Sequence, residues 1–364
     1  MDFDPPFQET YKAIFQDSIS SITDNGHQNP NNLMVEEYEL PVIDLSHLFM
    51  ETSTSRDDQY CNNNNKKNNE EVVVKEIVDA ARNWGFFEVV NHGIPEQVLK
   101  CIKYEQKMVF HQPFHQKSHK NVLNLSPNSY RWGNPKATSL NQLSWSEAIH
   151  ISLTDISKMD NIQHNSLRLA IEEFGNKAFS LAKNLAGILA GNLGVSCSYF
   201  EENCPPNSSY VRLNRYPPCP YSSNLQMFGL VPHTDSDFLS VVSQDDVGGL
   251  QLFKDERWVA VKPNPRALVI NIGDLFQALS NGVYKSIRHR VVASSGRSER
   301  FSAAYFYCPN NDARIESCSD RQSSLYRDFT FREYKSQIQK DVQDTGDKVG
   351  LPRFLTIINK IYIS

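Results

Sequence analysis

Three residues in the second half of the chain combine the side chains and the spacing of a metal site. His233 and Asp235 are two positions apart, so on extended backbone both side chains point to the same face. His289 lies far enough downstream for several short strands and turns to fold it back beside that pair. Two imidazoles and one carboxylate suit Fe(II) and leave coordination positions open for reactants, although zinc accepts the same ligand types. The pattern therefore predicts a metal centre.

The distribution of histidine favours the same interpretation. The chain contains 10 histidines, but only His233 and His289 follow His164. A single histidine at a strand end is more often a hydrogen-bonded structural residue than a metal ligand. The ordered set, with a carboxylate two residues after the first imidazole, favours metal binding over that alternative.

A second polar pair, Arg300 and Ser302, also lies two positions apart on one predicted strand face. A guanidinium keeps its charge and can bind a carboxylate through two parallel hydrogen bonds. We therefore expect a dicarboxylate that chelates the metal with one end and meets Arg300 with the other. A zinc hydrolase with the same metal ligands would not account for this arginine. Arg288 and Arg290 flank His289 and are expected to point away from it.

Another histidine group has the spacing of one helix face: His111, His115 and His119. Pro113 interrupts that helix, and no neighbouring carboxylate or cysteine completes a ligand set. We do not expect this group to bind a metal.

Composition restricts the class of protein. Among 364 residues, Lys and Arg total 37 and Asp and Glu total 42, which argues against nucleic acid or an anionic membrane as the main partner. The 7 cysteines form no C-x-x-C pair, which indicates reduced thiols rather than a disulfide framework. We expect a cytoplasmic protein, also nuclear by diffusion, with no membrane segment and no obligate protein partner.

Four regions are predicted along the chain. They are a polar N-terminal tail (1–38) with one short helix near 7–15, a helix-rich region (39–200), a jelly-roll catalytic core (201–312) and a C-terminal helical segment (313–364). The Asn-rich insert 51–70 cannot bury enough apolar surface to become ordered, so we predict a loop there.

Hydrophobic periodicity places the elements within these regions. Helical spacing predicts helices over residues 72–84, 96–110, 166–193 and 326–342. Apolar and β-branched runs between turn residues predict strands over 39–45, 86–90, 210–216, 239–244, 250–253, 258–261, 267–272, 287–292 and 301–307. The expected fold class is mainly β with helices, built on a double-stranded β-helix (jelly-roll) core.

The order of several motifs resembles the plant 2-oxoglutarate and Fe(II)-dependent dioxygenase family. The shared motifs are LPVIDL, WGFFEVVNHGI, NRYPPCP (214–220), HTD (233–235), GGLQL (248–252), NIGD (271–274), HRV (289–291) and RFS (300–302), so the resemblance covers nearly the whole chain from Glu39. Further segments are similar to gibberellin 2-oxidases of the group acting on twenty-carbon gibberellins: SYRWG (129–133), QLSWSE (142–147), NIGDLFQA (271–278) and LPRF (351–354).

This resemblance implies a role for each matching residue. The implied Fe(II) ligands are His233, Asp235 and His289. The implied contacts of 2-oxoglutarate are Asn214, Tyr216, Arg300 and Ser302, with Arg300 also counted as catalytic. The implied reaction consumes O2 and 2-oxoglutarate, releases succinate and carbon dioxide, and hydroxylates a small-molecule substrate, with ascorbate as reductant.

For a gibberellin 2-oxidase that substrate is an apolar multi-ring acid, and its 2β-hydroxylated product is inactive as a hormone. The segment 128–150 is rich in aromatic and cationic residues, which suits either a substrate wall or a packed loop at the barrel mouth. We expect Arg131 or Tyr130 to pair with the substrate carboxylate. Trp132, Phe238 and Tyr305 are expected to supply apolar wall.

Two alternatives keep most of these residues. A gibberellin oxidase acting at another carbon, or a flavonoid dioxygenase, would share every metal and cosubstrate residue. A non-catalytic jelly-roll protein that binds a small ligand would tolerate loss of a metal ligand or of Arg300, yet all four residues are present.

Overall fold

A computed structural model gives the fold. It describes residues 2–25, 35–49, 59–118, 123, 125–126, 128–159, 164–196, 198–222, 225–294, 296, 298–319 and 323–356. The α-helices are Phe7–Thr10 (α1), Lys12–Asn25 (α2), Ser46–Phe49 (α3), Gln59–Asn83 (α4), Glu96–Phe110 (α5), Phe114–Lys117 (α6), Asn165–Asn192 (α7), Ser198–Asn203 (α8), Asp274–Leu279 (α9) and Phe331–Thr345 (α10). Short 3-10 helices cover Leu140–Gln142, Ile156–Lys158, Pro206–Ser208 and Leu351–Phe354.

The strands are concentrated after residue 210. They are Glu37–Tyr38 (β1), Val42–Asp44 (β2), Phe86–Val90 (β3), Tyr130–Trp132 (β4), Glu147–Ser152 (β5), Tyr210–Tyr216 (β6), Phe228–His233 (β7), Leu239–Gln244 (β8), Leu250–Lys254 (β9), Arg257–Val261 (β10), Leu268–Ile272 (β11), His289–Val292 (β12), Arg300–Tyr307 (β13), Arg314–Ile315 (β14) and Phe329–Thr330 (β15). Those predicted after residue 210 agree with the structure to within two residues at each end.

Two large sheets form the core. One has the strand order β1-β10-β9-β12-β7, and the other has the order β2-β3-β11-β8-β13-β6-β5-β4. Side chains from both sheets line a single cavity, which therefore lies between them. Strand neighbours that are far apart in sequence, such as β12 and β7, give the crossover topology of a jelly roll. The predicted fold class is confirmed.

The long helix α7 supports the larger sheet from outside. Its leucine and alanine positions recur at helical spacing and are buried, while the opposite face is polar. It packs against α5, α4, β8 and β13, so it fixes the strands that carry part of the cavity wall. Within the described residues, neither α7 nor another helix combines the length and apolar character needed to cross a membrane.

The N-terminal residues differ from the predicted polar tail. Phe7, Tyr11 and Phe15 recur every four residues on one face and are 2–3% exposed. The Phe7 ring stacks on Trp145 at 4.4 Å, and the Phe15 ring stacks on Tyr221 at 4.2 Å. The helix predicted near 7–15 is present as α1 and the start of α2. The segment is docked rather than a polar tail, because three aromatic side chains in one stripe bury enough apolar area to hold it.

The Asn-rich insert also differs. Helix α4 begins at Gln59, so residues 59–70 continue the predicted helix towards the N-terminus instead of forming a loop. Residues 51–58 of the predicted loop lie outside the described part of the chain. A helix that is already nucleated by packed residues extends at low cost even through weak helix formers, because nucleation is the costly step.

Six strands were not predicted: β1, β4, β5, β7, β14 and β15. Strand β7 contains Gly229 and Pro232, which weaken the sequence signal for a strand. The C-terminal helix begins at Phe331, five residues later than predicted, because Thr330 and Glu333 form a capping box that sets its start. The four region boundaries remain a prediction.

Candidate active site

The predicted metal ligands come together at one end of the smaller sheet. His233 is the last residue of β7, and His289, the first residue of β12, lies directly opposite it in the antiparallel pairing. Asp235 follows two residues after β7 ends. Its Oδ1 lies 3.6 Å from His233 Nε2 and 3.8 Å from His289 Nε2. The three ligand atoms lie within 4.8 Å of one another, a separation that one metal ion can bridge.

Backbone carbonyls fix the two imidazole rings. His233 Nδ1 lies 2.8 Å from the Val231 carbonyl, and His289 Nδ1 lies 3.0 Å from the Ile287 carbonyl. When each Nδ1–H donates to its carbonyl, Nε2 keeps its lone pair and points towards Asp235. Both rings are thereby held in the tautomer that ligates through Nε2.

The Asp235 carboxylate is oriented from its other oxygen. Asp235 Oδ2 accepts hydrogen bonds from Ser240 Oγ at 3.0 Å and from Asn271 Nδ2 at 2.5 Å. These bonds leave Oδ1 facing the imidazoles, so the carboxylate presents one oxygen to a metal. Asn271 and Ser240 were not predicted as site residues, although Asn271 belongs to the NIGD motif.

Protonation states suit ligation at neutral pH. Burial, followed by the neighbouring His289, holds the pKa of His233 well below its usual value. Burial opposes ionisation of Asp235, but His289 and His233 hold the pKa of its carboxyl below the usual value. A neutral imidazole and an ionised carboxylate are the forms that bind a metal.

Arg300 has unused hydrogen-bonding capacity deep in the cavity. It is 3% exposed, and its Nη2 donates to Gln244 Oε1 at 2.9 Å. Its Nε and Nη1 have no partner among the described residues. A buried guanidinium with two unpaired donors is costly unless an anion completes its shell. The site therefore fits a carboxylate such as that of 2-oxoglutarate.

The other predicted 2-oxoglutarate residues surround Arg300. Tyr216 lies opposite Arg300 in the β6–β13 pairing, and its ring centroid is 4.8 Å from the guanidinium carbon. Asn214 lies opposite Ser302, and its Nδ2 donates to Ser302 Oγ at 3.4 Å. All four side chains line the cavity that also contains the three predicted metal ligands. The structure therefore brings the whole predicted constellation together.

The cavity has a volume of about 240 Å³ and an aromatic and cationic wall beyond this constellation. The wall follows from strand alternation: Tyr210 and Arg212 share the β6 face of Asn214, and Phe306 shares the β13 face of Arg300. The rings of Tyr210 and Phe306 stack at 4.5 Å. Lys348 reaches the cavity from the C-terminal segment.

The predicted substrate residues of 130–132 do not line this cavity. Tyr130 donates to buried Glu147 at 2.6 Å, within an ion-pair cluster behind β6. Arg131 is exposed, and its Nε donates to the carbonyl of Asn128. Trp132 packs edge-on against Phe7 of α1. The structure therefore does not bring the segment to the observed cavity, because Glu147 binds Tyr130, the loop carbonyl binds Arg131, and Trp132 packs on the N-terminal helices.

Phe238 and Tyr305 are also placed elsewhere. Both are fully buried, and Phe238 packs edge-on against Phe200 at 5.2 Å in the main core. Tyr305 is five residues after Arg300 on β13, so its side chain lies on the opposite face of the strand. Its neighbour Phe306 therefore lines the cavity. The period of two that relates Arg300 to Ser302 would have identified Phe306.

The remaining predictions concern neighbouring arginine and histidine residues. Arg290 points away from the cavity, as predicted: its Nε donates to Gln251 at 2.8 Å and its guanidinium carbon lies 4.0 Å from the Trp258 ring centroid. His111 pairs with Glu299 at 2.8 Å. His119 lies outside the described residues.

Comparison with known proteins decides the family. Residues 207–309 match the 2OG-Fe(II) oxygenase superfamily, and residues 40–168 match the family described as non-haem dioxygenase in morphine synthesis N-terminal. The chain is 49% identical to gibberellin 2-beta-dioxygenase 8 of Arabidopsis thaliana over 99% of this chain and 100% of that protein. The chain belongs to the 2OG-Fe(II) oxygenase superfamily. The predicted family is thus confirmed.

Further relatives agree. Gibberellin 2-beta-dioxygenase 6 of Oryza sativa subsp. japonica is 42% identical over 96% of each chain. The crystal structure of JOX2 in complex with 2OG, Fe and JA is 29% identical, with a TM-score of 0.66 over 88% of this chain and 93% of that one. The rice dioxygenase for auxin oxidation, 24% identical, shares the fold with a TM-score of 0.65 over 87% of this chain and 100% of that one.

Membership in this superfamily establishes the reaction type. The protein is a dioxygenase that uses Fe(II), 2-oxoglutarate and O2, and it acts on a small-molecule substrate. Ascorbate is the typical reductant of such enzymes. The triad and Arg300 provide the donor types that Fe(II) and a dicarboxylate require.

Proposed function

We propose that this dioxygenase hydroxylates gibberellins at carbon 2 on the β face and so inactivates the hormone, with twenty-carbon gibberellins as its main substrates. The observation that carries this proposal is the 49% identity to gibberellin 2-beta-dioxygenase 8 along the full length of both chains. Gibberellin 2-beta-dioxygenase 7 of Arabidopsis thaliana supports it, at 44% identity over 96% of this chain. The SYRWG and LPRF segments favour the twenty-carbon group.

In this proposal His233, Asp235 and His289 hold Fe(II), which when bound supplies the oxidative decarboxylation of 2-oxoglutarate by O2 and the oxygen atom that hydroxylates the substrate. Arg300 binds the distal carboxylate through its free Nε and Nη1 donors, and Ser302 adds a hydroxyl beside it. Tyr216 covers the guanidinium and excludes water from that end of the cavity. These residues fix the cosubstrate before the substrate arrives.

A carboxylic acid substrate needs a second cation, and Arg212 provides one. Its side chain lines the cavity and forms no hydrogen bond or ion pair within the described part of the chain. The stacked rings of Tyr210 and Phe306 lie on the same wall. A cation next to an apolar wall suits a multi-ring acid, so we assign the substrate carboxylate to Arg212.

Product analysis tests the proposal. Purified protein is incubated with Fe(II), 2-oxoglutarate, ascorbate and a panel of twenty-carbon gibberellins, nineteen-carbon gibberellins and flavanones, and products are identified by mass spectrometry against standards. Addition of one oxygen at carbon 2 of a twenty-carbon gibberellin, with an equal amount of succinate, is the expected result. Oxidation at another carbon, or of a flavanone alone, would keep the iron chemistry and overturn the substrate assignment.

A further inference from the structure

The C-terminal segment after α10 reaches the metal centre through Lys348. This lysine side chain is 13% exposed, and its Nζ lies 2.7 Å from Asp274 Oδ2. The same Nζ donates to the backbone carbonyl of Thr234 at 2.7 Å. Thr234 is the residue between the metal ligands His233 and Asp235. One ammonium from the end of the chain therefore contacts the backbone that separates two ligands.

Asp274, the first residue of α9, binds both Lys348 and the loop between the metal ligands. Its Oδ2 accepts hydrogen bonds from Thr234 Oγ1 at 3.0 Å and from Tyr334 of α10, in addition to the ion pair with Lys348. Its backbone N–H donates to the Asp235 carbonyl at 3.0 Å. We call Thr234, Asp274, Tyr334 and Lys348 the clasp.

The clasp satisfies the polar groups of the ligand loop from one side. The Thr234 hydroxyl and the Asp235 carbonyl are bound by Asp274, and the Thr234 carbonyl is bound by Lys348. His233 is anchored by β7, and Ser240 and Asn271 of the larger sheet hold the Asp235 carboxylate. The clasp holds the backbone and the threonine hydroxyl between these two ligands. Loss of the Lys348 ammonium would leave the Thr234 carbonyl without this donor and Asp274 without its cation.

We propose that Lys348 is a positioning residue for the metal site: the C-terminal segment sets the angle between His233 and Asp235 through the clasp. The segment after α10 is thus part of the iron site rather than an outer support. Partners that orient metal ligands typically change metal affinity by roughly 10–100-fold when they are removed. The proposal needs the metal but no particular substrate, so it stands or falls separately from gibberellin hydroxylation.

The test is metal affinity without substrate. Co(II), which is stable to air, is titrated calorimetrically into full-length protein carrying Lys348→Met, a side chain of similar length without a donor or charge. We expect the Co(II) dissociation constant to rise roughly 10–100-fold. Lys348→Arg, which restores charge and donors, should recover much of the affinity. Lys340→Met on exposed α10 is the matched control and should bind as the wild type does.

Unchanged Co(II) affinity in Lys348→Met overturns the proposal. If the substrate KM alone rises in that variant, Lys348 is assigned to substrate binding instead.

If Lys348→Met does not fold, alanine substitutions at two glycines provide a second test. A Cβ on Gly350 would lie 3.3 Å from Asp274 Oδ2 and 3.4 Å from Lys348 Cε, whereas a Cβ on Gly346 would meet Gln142. Both have positive φ, but ψ is −8° at Gly346 and −139° at Gly350, so the unfolding free energy of each variant is measured by urea denaturation beside its Co(II) affinity to separate backbone strain from loss of the clasp. Gly350→Ala should weaken Co(II) binding more than Gly346→Ala, and equal affinities contradict the clasp.

Discussion

The two arginines that face the cavity differ in their burial and in the partners that already hold them. Arg300 is buried, shares one hydrogen bond with Gln244 and covers the Tyr216 ring, so its remaining donors are preorganised for one small anion. Arg212 is partly exposed and lies beside aromatic wall. At this scale the first should select the cosubstrate and the second the substrate.

Replacing Arg300 with Gln should raise the KM for 2-oxoglutarate by roughly 30-fold or more. Removing one member of a buried, hydrogen-bonded charge pair costs about 2–5 kcal/mol, and about 1.4 kcal/mol is tenfold in affinity. Steady-state succinate production at varied 2-oxoglutarate measures the change. Arg266→Gln, an exposed arginine outside the cavity, is the control. An unchanged KM would remove Arg300 from the cosubstrate site.

Replacing Arg212 with Gln should raise the KM for the gibberellin by about 10–100-fold, because a hydrogen bond to a charged group contributes about 1.5–3 kcal/mol. The KM for 2-oxoglutarate should stay unchanged. Arg131→Gln is the matched control, since Arg131 is exposed and bonds its own loop. If Arg131→Gln produced the larger effect, the original assignment to Arg131 would be restored.

Among the structural elements, paired strands position the site. The alternation of side chains along these strands predicts more of the site than the sequence analysis assigned. The spacing of His233 and Asp235 and of Arg300 and Ser302 was sufficient to find the metal and cosubstrate residues. The same alternation extends to Arg212 and Phe306, because strand register and not aromatic composition decides which side chains face the cavity. Lys348 gave no local signal, because its role depends on a chain reversal after α10 that no periodicity encodes.

Strand β7 approaches Tyr216 so closely that position 229 has no room for a side chain. A Cβ on Gly229 would lie 2.6 Å from Tyr216 Cδ1 and 3.3 Å from Val291 Cγ1. Gly229→Ala should therefore displace the Tyr216 ring, raise the KM for 2-oxoglutarate severalfold and lower the unfolding free energy by about 1–3 kcal/mol.

The control for that variant is Gly187→Ala in α7, where a Cβ meets nothing within 4 Å. An alanine there should raise the unfolding free energy by about 0.5–1 kcal/mol and leave both KM values unchanged, because glycine in a helix interior is unfavourable. Urea denaturation and steady-state kinetics measure both variants. Equal behaviour of the two would mean that β7 does not hold Tyr216.

At the scale of the whole molecule, polar groups buried at the sheets make stability depend on pH. The ring centroids of His150 on β5 and Tyr210 lie 4.2 Å apart, with the rings tilted by 34°. Burial, followed by the charges of Arg212 and Arg131, lowers the pKa of His150 to about 4. The unfolded chain binds a proton near pH 6.5 while the folded protein does not. The stability contributed by neutral His150 is therefore present above pH 6.5 and is lost as the pH falls towards 4.

Replacing His150 with Phe should flatten this dependence. Between pH 7.5 and pH 5 the wild type should lose on the order of 1–2 kcal/mol more unfolding free energy than the variant, because one proton contributes about 1.4 kcal/mol per pH unit below the unfolded pKa. Urea denaturation of the metal-free proteins at both pH values measures the difference. Parallel losses in the two proteins would show that His150 does not carry the effect.

In the proposed function, one cavity joins 2-oxoglutarate turnover to hydroxylation of a gibberellin. The most direct measurement uses isotopically labelled O2 with wild-type protein and a twenty-carbon gibberellin, followed by mass spectrometry of both products. One labelled oxygen in succinate and one in the 2β-hydroxyl group, formed in equal amounts, is the predicted result. Label in succinate without labelled gibberellin would contradict coupled hydroxylation, because 2-oxoglutarate would then be consumed without reaction at the gibberellin.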